Sequence, residues 1–315
     1  MTECMHIAFC VSDLCATYIP VAIKSIAENS KGSPITIHVL SDFISNKKVK
    51  LLKEAVSSYT DVELEVHIVD DYNLKGLKDT WSKYTWYRVL LPQVLTNDVH
   101  RVLYLDADTL VVGDISVLFT MSMTDKAIAG AIDILSFDKK TFDRCMYDQE
   151  KRYVCAGVML MNLDYWREHN LTDQVVAWGR EYDARIQFPD QDTINHLCQD
   201  SKIVLPMRYG ILGVFFVNEV FYKRPYLTEL KECISSPIII HYAGENPWKI
   251  ELSNHLYQEE WERYNNMLLH PVKREYITKG WNFVKMKIWQ MFHPSQRKHR
   301  LTKEEVIKRI QQHDS

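Results

Sequence analysis

Residues 100–115 read HRVLYLDADTLVVGDI, and the rest of the chain can be interpreted outward from them. A short apolar run, 102–105, is followed by Asp106 and Asp108 and then by apolar Leu110. Such a run bounded by polar residues is typical of a buried strand. Alternate side chains of an extended segment point the same way, so the two carboxylates can share one cation. Oxygen ligands suit Mg²⁺ or Mn²⁺ better than Zn²⁺. The other interpretation is a polar turn with both acids in water, and this segment alone leaves both open.

Composition limits the classes of protein to which the chain can belong. Its 315 residues are 46% hydrophobic and 25% charged, which is ordinary for one large globular domain or two smaller ones. The net charge of −3 gives no reason to expect a nucleic-acid partner. Seven cysteines with no CxxC pair and no zinc spacing indicate a reducing compartment. We expect no secretory signal in residues 1–15 and no membrane-spanning segment, because no run of 18 apolar residues occurs.

The first 70 residues alternate between strand and helix patterns. Strands are predicted at 5–11, 34–40 and 62–69, and amphipathic helices at 19–26 and 45–59. This order predicts an α/β layer with a mostly parallel sheet. No GxGxxG follows the first strand, so the dinucleotide fingerprint is absent. Ligands of such sheets bind beyond the carboxyl ends of the strands, and Ser12, Asp13, Asp106 and Asp108 all lie at such ends.

The middle of the chain adds further elements and candidate residues. The pattern predicts a helix at 81–95 carrying Tyr87 and Arg88, strands at 127–132, 153–163 and 237–242, a helix at 171–182, and a mobile polar loop at 139–152. Residues 188–195, FPDQDTIN, place two acids and an amide just before a helix start. The last strand ends in His241, and Gly244 follows it.

From about residue 251 aromatic and basic residues interleave. Within this part Trp281, Val284, Ile288, Met291 and Phe292 follow helical spacing, while Lys279 and Lys287 lie off that face and Lys285 lies at its edge. A basic amphipathic helix with tryptophan favours an interfacial contact with a membrane. The alternative is a helix packed on the core of the domain with a solvated outer face.

Four motifs in order resemble a known family. They are VAIKSI after the first strand, the tyrosine and arginine helix before YLDADTLV, AGVMLMNLDYW with DQD, and HYAG followed by PW. From about residue 5 to residue 248 the chain resembles the retaining glycosyltransferases of family 8. These include bacterial lipopolysaccharide galactosyl- and glucosyltransferases, and glycogenin.

The resemblance implies a GT-A fold, a Rossmann-like mixed sheet flanked by helices, with a C-terminal helical extension. It implies a catalytic domain at 1–250 and a basic, aromatic and helical segment at 251–315. The expected donor is UDP-galactose or UDP-glucose, the expected cofactor is Mn²⁺ or alternatively Mg²⁺, and the expected acceptor is a glycan or glycolipid. We expect a cytoplasmic enzyme in peripheral contact with the inner face of the membrane, acting in lipopolysaccharide or other envelope glycan synthesis.

The same resemblance assigns site residues motif by motif. Metal ligands would be Asp106, Asp108 and His241, and two carboxylates with an imidazole suit Mn²⁺ better than Ca²⁺. Catalytic candidates facing the sugar and acceptor are Gln191, Asp190 and Asp133. Donor-binding candidates are Cys10, Ser12, Asp13, Arg88, Asp106, Ala107, Gly157, Asp192, Gly244 and Lys249.

Each assignment has a plain structural alternative. Asp190 and Asp192 would cap a helix and pair with its dipole, Arg88 would be a surface charge, and Gly157 would be a bulge glycine. His241 would be a satisfied strand histidine.

Three positions depart from the family pattern. The aromatic residue that usually follows the first strand is missing beside Ser12, Cys155 replaces a common asparagine, and Asn246 replaces a lysine before the PW pair. Lys249 could supply the missing charge.

The resemblance implies a retaining transferase with a nucleotide-diphosphate donor. In such an enzyme the metal and Arg88 would stabilise the departing diphosphate. Retention needs either a covalent intermediate or attack from the leaving group's own face. Glutamine is a poor nucleophile, so Gln191 favours the second route, and the sequence leaves both open. A self-glucosylating primer like glycogenin, or a non-catalytic nucleotide-sugar-binding module, is the alternative. A nucleotidyltransferase would need a Gly- and Arg-rich phosphate loop after the first strand, which this sequence lacks.

Overall fold

A computed structural model describes residues 4–80, 82–278 and 301–314. Its central sheet has seven strands in the order β3-β2-β1-β4-β7-β6-β8. These strands are β1 Met5–Cys10, β2 Ile35–Ser41, β3 Val62–Ile68, β4 Arg101–Leu105, β6 Ile128–Ile132, β7 Val154–Asn162 and β8 Lys202–Leu205. The first four pair in parallel, whereas β7 runs antiparallel to both β4 and β6. The predicted α/β class with a mixed sheet is confirmed.

A second, three-stranded sheet brings distant parts of the chain together. It has the order β5-β10-β9, with β5 at Thr109–Val111, β9 at Ile211–Leu212 and β10 at Ile239–His241. His241 is paired antiparallel with Thr109. The backbone N–H of Tyr242 donates to the carbonyl of Asp108 at 2.8 Å. This pairing therefore places the end of β10 beside the acids that follow β4.

Both faces of the central sheet are buried at its inner strands, as β1 shows. Along β1, Ile7 and Phe9 join a hydrophobic cluster on one face, and Ala8 and Cys10 join a second cluster on the other. Successive side chains of a strand point to opposite faces, so a strand covered on both sides has a continuous apolar sequence. This explains why MHIAFC has no polar alternation.

Helices cover these faces. They are α1 Ile19–Asn29, α2 Asn46–Val56, α3 Leu91–Val94, α4 Ser116–Thr120, α5 Lys139–Cys145, α6 Leu163–Glu168, α7 Leu171–Glu181, α8 Pro189–Leu197, α9 Tyr226–Ser235, α10 Gln258–Asn266 and α11 Lys303–Asp314. Short 3₁₀ helices lie at Cys15–Thr17, Tyr72–Leu74, Lys83–Leu90, Ile134–Phe137, Gln149–Lys151, Met207–Tyr209, Gly213–Phe216 and Glu219–Tyr222. The helices predicted at 19–26, 45–59 and 171–182 are confirmed.

Three predictions about local structure are wrong. The predicted loop at 139–152 contains α5, whose side chains Phe142 and Cys145 are buried, and Asp138 caps its first turn. Two buried apolar side chains in a polar stretch are too few to show the spacing of apolar residues that indicates a helix. The acids near 190 lie in the first turn of α8 rather than before it. The segment predicted as one helix at 81–95 forms a 3₁₀ helix followed by α3. Pro92 has no N–H, so it cannot donate the backbone hydrogen bond that would continue a single helix.

The described parts of the C-terminal segment pack on the main core. Trp261 and Tyr264 of α10 are buried, and Asn29 of α1 donates to the Tyr264 hydroxyl at 2.7 Å. Val306 and Ile310 of α11 are also buried. The predicted amphipathic helix with Trp281, Val284, Ile288, Met291 and Phe292 lies outside the described residues. Among the described helices, none is long and apolar enough to cross a membrane.

Candidate active site

Asp106, Asp108 and His241 converge at the carboxyl end of β4. The Nε2 atom of His241 lies 3.4 Å from Asp108 Oδ1 and 3.7 Å from Asp106 Oδ2. The backbone N–H of Asp106 donates to the carbonyl of Gly157 at 2.8 Å, which fixes the turn after β4 against β7. The structure thus brings together the three residues proposed as metal ligands, although more than 130 positions separate the acids from the histidine in the sequence.

The two oxygens of Asp106 have different surroundings. Oδ1 accepts hydrogen bonds from the Tyr104 hydroxyl at 2.7 Å and from Arg88 Nη2 at 3.1 Å, while Oδ2 faces His241. Burial would raise the pKa of Asp106, but the charges of Arg88 and His241 lower it below its usual value. The carboxylate is therefore anionic and is held in one orientation.

The protein groups around His241 favour its protonated form as long as no ion is bound. Burial would lower its pKa, but the Cys155 thiol and the Asp108 carboxylate raise the pKa of His241 well above its usual value. Its other ring nitrogen, Nδ1, lies 3.5 Å from the sulfur of Cys155. A divalent ion bound by the two carboxylates and the ring would take the place of the ring proton.

Gly157 leaves the space in which these ligands meet. A Cβ atom there would lie 2.5 Å from Asp106 Oδ2 and 2.9 Å from His241 Nε2, and it would overlap the imidazole ring. Real side chains do not approach so closely, so the cluster requires glycine at this position of β7. The donor set and this close packing fit a divalent cation bound by Asp106, Asp108 and His241.

Arg88 is buried rather than a surface charge. Its Nε donates to the carbonyl of Thr85 at 2.8 Å and its Nη1 to the carbonyl of Ala156 at 2.5 Å. Nε also lies 3.1 Å from Asp190 Oδ2. Burial raises the pKa of Asp190, and the Arg88 charge opposes that rise. Arg88 therefore lies between two carboxylates, Asp106 and Asp190, and links β7 to α8.

A cleft of about 440 Å³ lies beside this centre and is lined by Asp133, Gln191 and Gly244, together with apolar Leu212 and Val214. The Gln191 side-chain oxygen accepts the N–H of Ala156 at 2.9 Å. Asp133 accepts the N–H of Leu135 at 2.9 Å, and burial raises its pKa. Gln191 and Asp133 thus face one cavity, whereas Asp190 is turned towards Arg88.

Asp192 is enclosed by protein groups instead of facing the cleft. It pairs with Arg144 through two bonds of 2.9 and 3.1 Å and accepts the Tyr153 hydroxyl at 2.6 Å. It also accepts the backbone N–H groups of Gln187 and Phe188. Its acceptor sites are filled by protein groups, in keeping with the helix-capping alternative, and donor binding by Asp192 stays a prediction.

Breaking this pair should be costly, because Asp192 is fully buried and the arginine nearly so. We expect Arg144→Ala to lower the free energy of unfolding by about 3–5 kcal/mol, since a buried charge loses its partner. Urea unfolding measures this value. The control is Lys139→Ala on the same helix, whose pair with Asp143 is exposed and should contribute about 0–1 kcal/mol. Equal small losses in both variants would contradict a structural role for Asp192.

The predicted donor residues at the end of β1 are mostly engaged locally. The Ser12 hydroxyl accepts the N–H of Cys15 at 3.2 Å, and Asp13 accepts the N–H of Ser45 at 2.7 Å. Cys10 is buried, which raises the pKa of its thiol. Ala107 lies partly buried between the two acids. These contacts shape the loop after β1 and tie it to the start of α2.

The two remaining donor candidates lie after β10. Gly244 has a positive φ of 74°, which favours glycine, and it lines the cleft. Lys249 pairs with Glu275 at 3.0 Å, beside the stacked rings of Tyr18 and Trp248. Lys249 therefore has a protein partner in Glu275, and its role at the donor stays a prediction.

Sequence reasoning missed the contribution of Tyr104. This residue stands two positions before Asp106 on the same strand, so the alternation that predicted the paired acids also predicts that Tyr104 shares their face. It missed a second network, in which Lys83 pairs with Asp42 at 2.7 Å and with Asp71 at 2.8 Å. No local sequence signal connects those three positions.

Comparison with known proteins gives consistent results. The sequence model described as glycosyl transferase family 8 matches residues 6–252. A lipopolysaccharide 1,2-glucosyltransferase of Escherichia coli is 26% identical over 234 residues, 72% of this chain and 68% of the relative. A lipopolysaccharide 1,3-galactosyltransferase of Salmonella typhimurium is 24% identical over 246 residues, with the same shares. The galactosyltransferase LgtC, solved with donor and acceptor sugar analogs, has a TM-score of 0.75 at 21% identity, covering 89% of this chain and 99% of LgtC.

Proposed function

Since this chain belongs to glycosyl transferase family 8, we propose that it transfers glucose or galactose from a UDP-sugar to a glycan or glycolipid acceptor with retention of configuration. The expected setting is lipopolysaccharide or other envelope glycan synthesis, which the names of the two relatives support. The observation that carries this proposal is the convergence of Asp106, Asp108 and His241 beside a cleft lined by Gln191 and Asp133.

The proposed metal-binding residues, Asp106, Asp108 and His241, are the part of the site that would face the donor diphosphate. We propose Mn²⁺, with Mg²⁺ as the alternative, held by the two carboxylates and the His241 ring. When bound, such an ion supplies Lewis-acid stabilisation of negative charge on the diphosphate. Arg88 contributes indirectly, by holding the Asp106 side chain in its orientation. All three nitrogens of its guanidinium group bond to protein atoms.

The cleft suits a sugar ring. Its polar side, Asp133 and Gln191, can bind hydroxyl groups, and its apolar side, Leu212 and Val214, can contact ring carbons. Gln191 is fixed by its bond to Ala156 and is a weak nucleophile, so it supports attack by the acceptor itself. In that step the acceptor oxygen bonds to the anomeric carbon, the bond to the leaving diphosphate breaks, and the acceptor proton passes to the departing phosphate.

A donor panel tests this function. We expect slow hydrolysis of UDP-glucose or UDP-galactose with Mn²⁺ and no acceptor, and little with GDP- or ADP-sugars. Released nucleotide and intact-protein mass are measured together, with EDTA as the control. A mass increase on the protein would favour a self-glucosylating primer, and binding without turnover would favour a sugar-binding module. If none of the UDP-sugars were turned over, the proposed donor would be contradicted.

The C-terminal segment suggests the place in the cell at which the enzyme would bind its acceptor. We propose a catalytic part at 1–250 and a segment at 251–315 that places the enzyme on the cytoplasmic face of a membrane carrying a lipid-linked acceptor. The motivating feature is the alternation of aromatic and basic residues between 279 and 300. Point substitutions are better than truncation here, because truncation would also remove buried Val272, Val306 and Ile310.

Vesicle binding tests the membrane proposal. The double variant Lys285→Gln, Lys287→Gln should bind anionic phosphatidylglycerol vesicles roughly 30-fold more weakly, at about 1 kcal/mol for each lysine near the surface. The control removes the same charge from the exposed side of α2 with Lys47→Gln and Lys50→Gln. Co-sedimentation gives both affinities. Equal binding by the two variants and the parent chain would rule out this contact.

A further inference from the structure

A row of histidines crosses the first three strands, away from the acids after β4. His6 Nδ1 lies 3.0 Å from His38 Nε2, and His38 Nδ1 lies 3.0 Å from His67 Nε2. Glu65 joins them, with its Oε2 at 3.3 Å from His38 Nδ1 and 3.4 Å from His67 Nε2. In the parallel register His38 pairs with Glu65, and His67 lies two positions further along β3 on the same face.

Three ligand-type atoms therefore meet at one point. His38 Nδ1, His67 Nε2 and Glu65 Oε2 form a triangle with sides of 3.0, 3.3 and 3.4 Å. A tetrahedral zinc ion at about 2.0–2.1 Å from nitrogen and about 2.0–2.2 Å from oxygen keeps its ligands roughly 3.3 Å apart. The triangle thus matches the spacing of three protein ligands around one ion to within a few tenths of an ångström.

The surroundings of His38 favour metal binding over a simple chain of hydrogen bonds. A neutral imidazole carries one N–H, yet His38 meets His6 on one side and both His67 and Glu65 on the other. If Nδ1 ligates an ion, Nε2 carries the proton and donates it to His6, which fixes the tautomer as outer-shell partners of zinc histidines do.

The site has an opening. A cavity of about 410 Å³ is lined by His67 together with Val69, Asp70, Leu90 and Val94. His38 is buried, whereas Glu65 is half-exposed. An ion could enter from the side of β3, and water could complete its coordination.

We propose that His38, Glu65 and His67 bind a transition-metal ion of the Zn²⁺ class, with water as the fourth ligand and His6 as the outer-shell partner. Two imidazoles and one carboxylate suit zinc and cobalt, whereas the acid-rich cluster at Asp106 suits manganese. This second site does not depend on the proposed function. Its ion would fasten the edge strand β3 to β2 and so to the middle of the sheet.

Cobalt absorption tests the site in the full chain. With excess Mn²⁺ present to fill the Asp106 cluster, one equivalent of Co²⁺ should produce the intense visible bands of tetrahedral cobalt, and Zn²⁺ should bleach them. His67→Ala and Glu65→Gln should each abolish the bands. His6→Ala should weaken Co²⁺ binding by about 10- to 100-fold, as loss of an outer-shell partner does.

Two controls keep the outcomes distinct. Asp106→Asn should keep the bands, which separates this site from the catalytic cluster, and His100→Ala removes an exposed histidine paired with Asp164 without effect. Circular dichroism checks that each variant is folded. The proposal is overturned if the parent chain shows no tetrahedral bands, if both ligand variants keep them, or if Asp106→Asn loses them.

Discussion

The Asp106→Asn and Asp108→Asn variants are each expected to lose about 10³-fold in kcat/KM for sugar transfer, roughly 4 kcal/mol of transition-state stabilisation. Asparagine keeps the shape of the side chain but removes the charge that holds a divalent ion. The measurement is donor turnover as a function of Mn²⁺ concentration. Because each carboxylate would fix the position of the ion as well as its affinity, added Mn²⁺ should restore only part of the rate.

The two variants should differ in stability although they agree in activity. Asp106 also accepts bonds from Tyr104 and from buried Arg88, so its replacement leaves that guanidinium with Asp190 as its remaining carboxylate partner. Asp108→Asn leaves Arg88 with both of its carboxylates and removes one partner of His241, whose ring can lose its proton. It should therefore lower the free energy of unfolding less than Asp106→Asn does. If activity were lost only in Asp106→Asn, the loss would reflect Arg88 rather than a metal.

Asp114→Asn is the matched control for both variants. It removes the same charge eight positions after Asp106, where an exposed carboxylate accepts hydrogen bonds from Ser116. It should leave turnover and the Mn²⁺ dependence unchanged. Full activity in the Asp106→Asn, Asp108→Asn double variant would refute the metal assignment.

The parts of the site that sequence could predict are those set by local periodicity. Alternation along one strand places Asp106 and Asp108 together at its end, and the same rule covers Tyr104. The strand–helix alternation of the first 70 residues predicts the parallel half of the sheet. The order of motifs predicted which histidine would accompany the acids, but it could not supply the pairing of β10 with β5 that brings His241 to Asp108.

The parts that sequence could not predict depend on pairing across the fold. Asp192 and Arg144 stand 48 positions apart, and only tertiary packing of α5 on α8 reveals that one neutralises the other. Lys249 pairs with Glu275, 26 positions away, which its local sequence does not indicate. In both cases the sequence shows the charged residue but not its partner, because an ion pair between distant positions leaves no periodic pattern in the sequence.

Gly157→Ala is the second variant with a large expected effect, and it alters no ligand. Gly157 lies within β7, so alanine meets no backbone strain there, and any loss arises from the added Cβ. That atom would lie 2.5 Å from Asp106 Oδ2 and within the space of the His241 ring. One or both ligands must move, and ligand positions about 0.5 Å from the productive geometry no longer serve a metal site.

We therefore expect Gly157→Ala to weaken Mn²⁺ binding by at least about 10- to 100-fold, in the range seen when the support of a metal ligand is removed. Free Mn²⁺ measured by electron paramagnetic resonance gives the affinity without relying on turnover. Gly130→Ala is the control on the neighbouring strand β6, where the new Cβ would lie 3.4 Å from Val154 and Cys155, an ordinary contact. If Gly157→Ala bound Mn²⁺ as the parent chain does, the ion would lie elsewhere. If Gly157→Ala lost Mn²⁺ binding and Gly130→Ala retained it, the ion would lie between Asp106 and His241, because the added carbon enters that space.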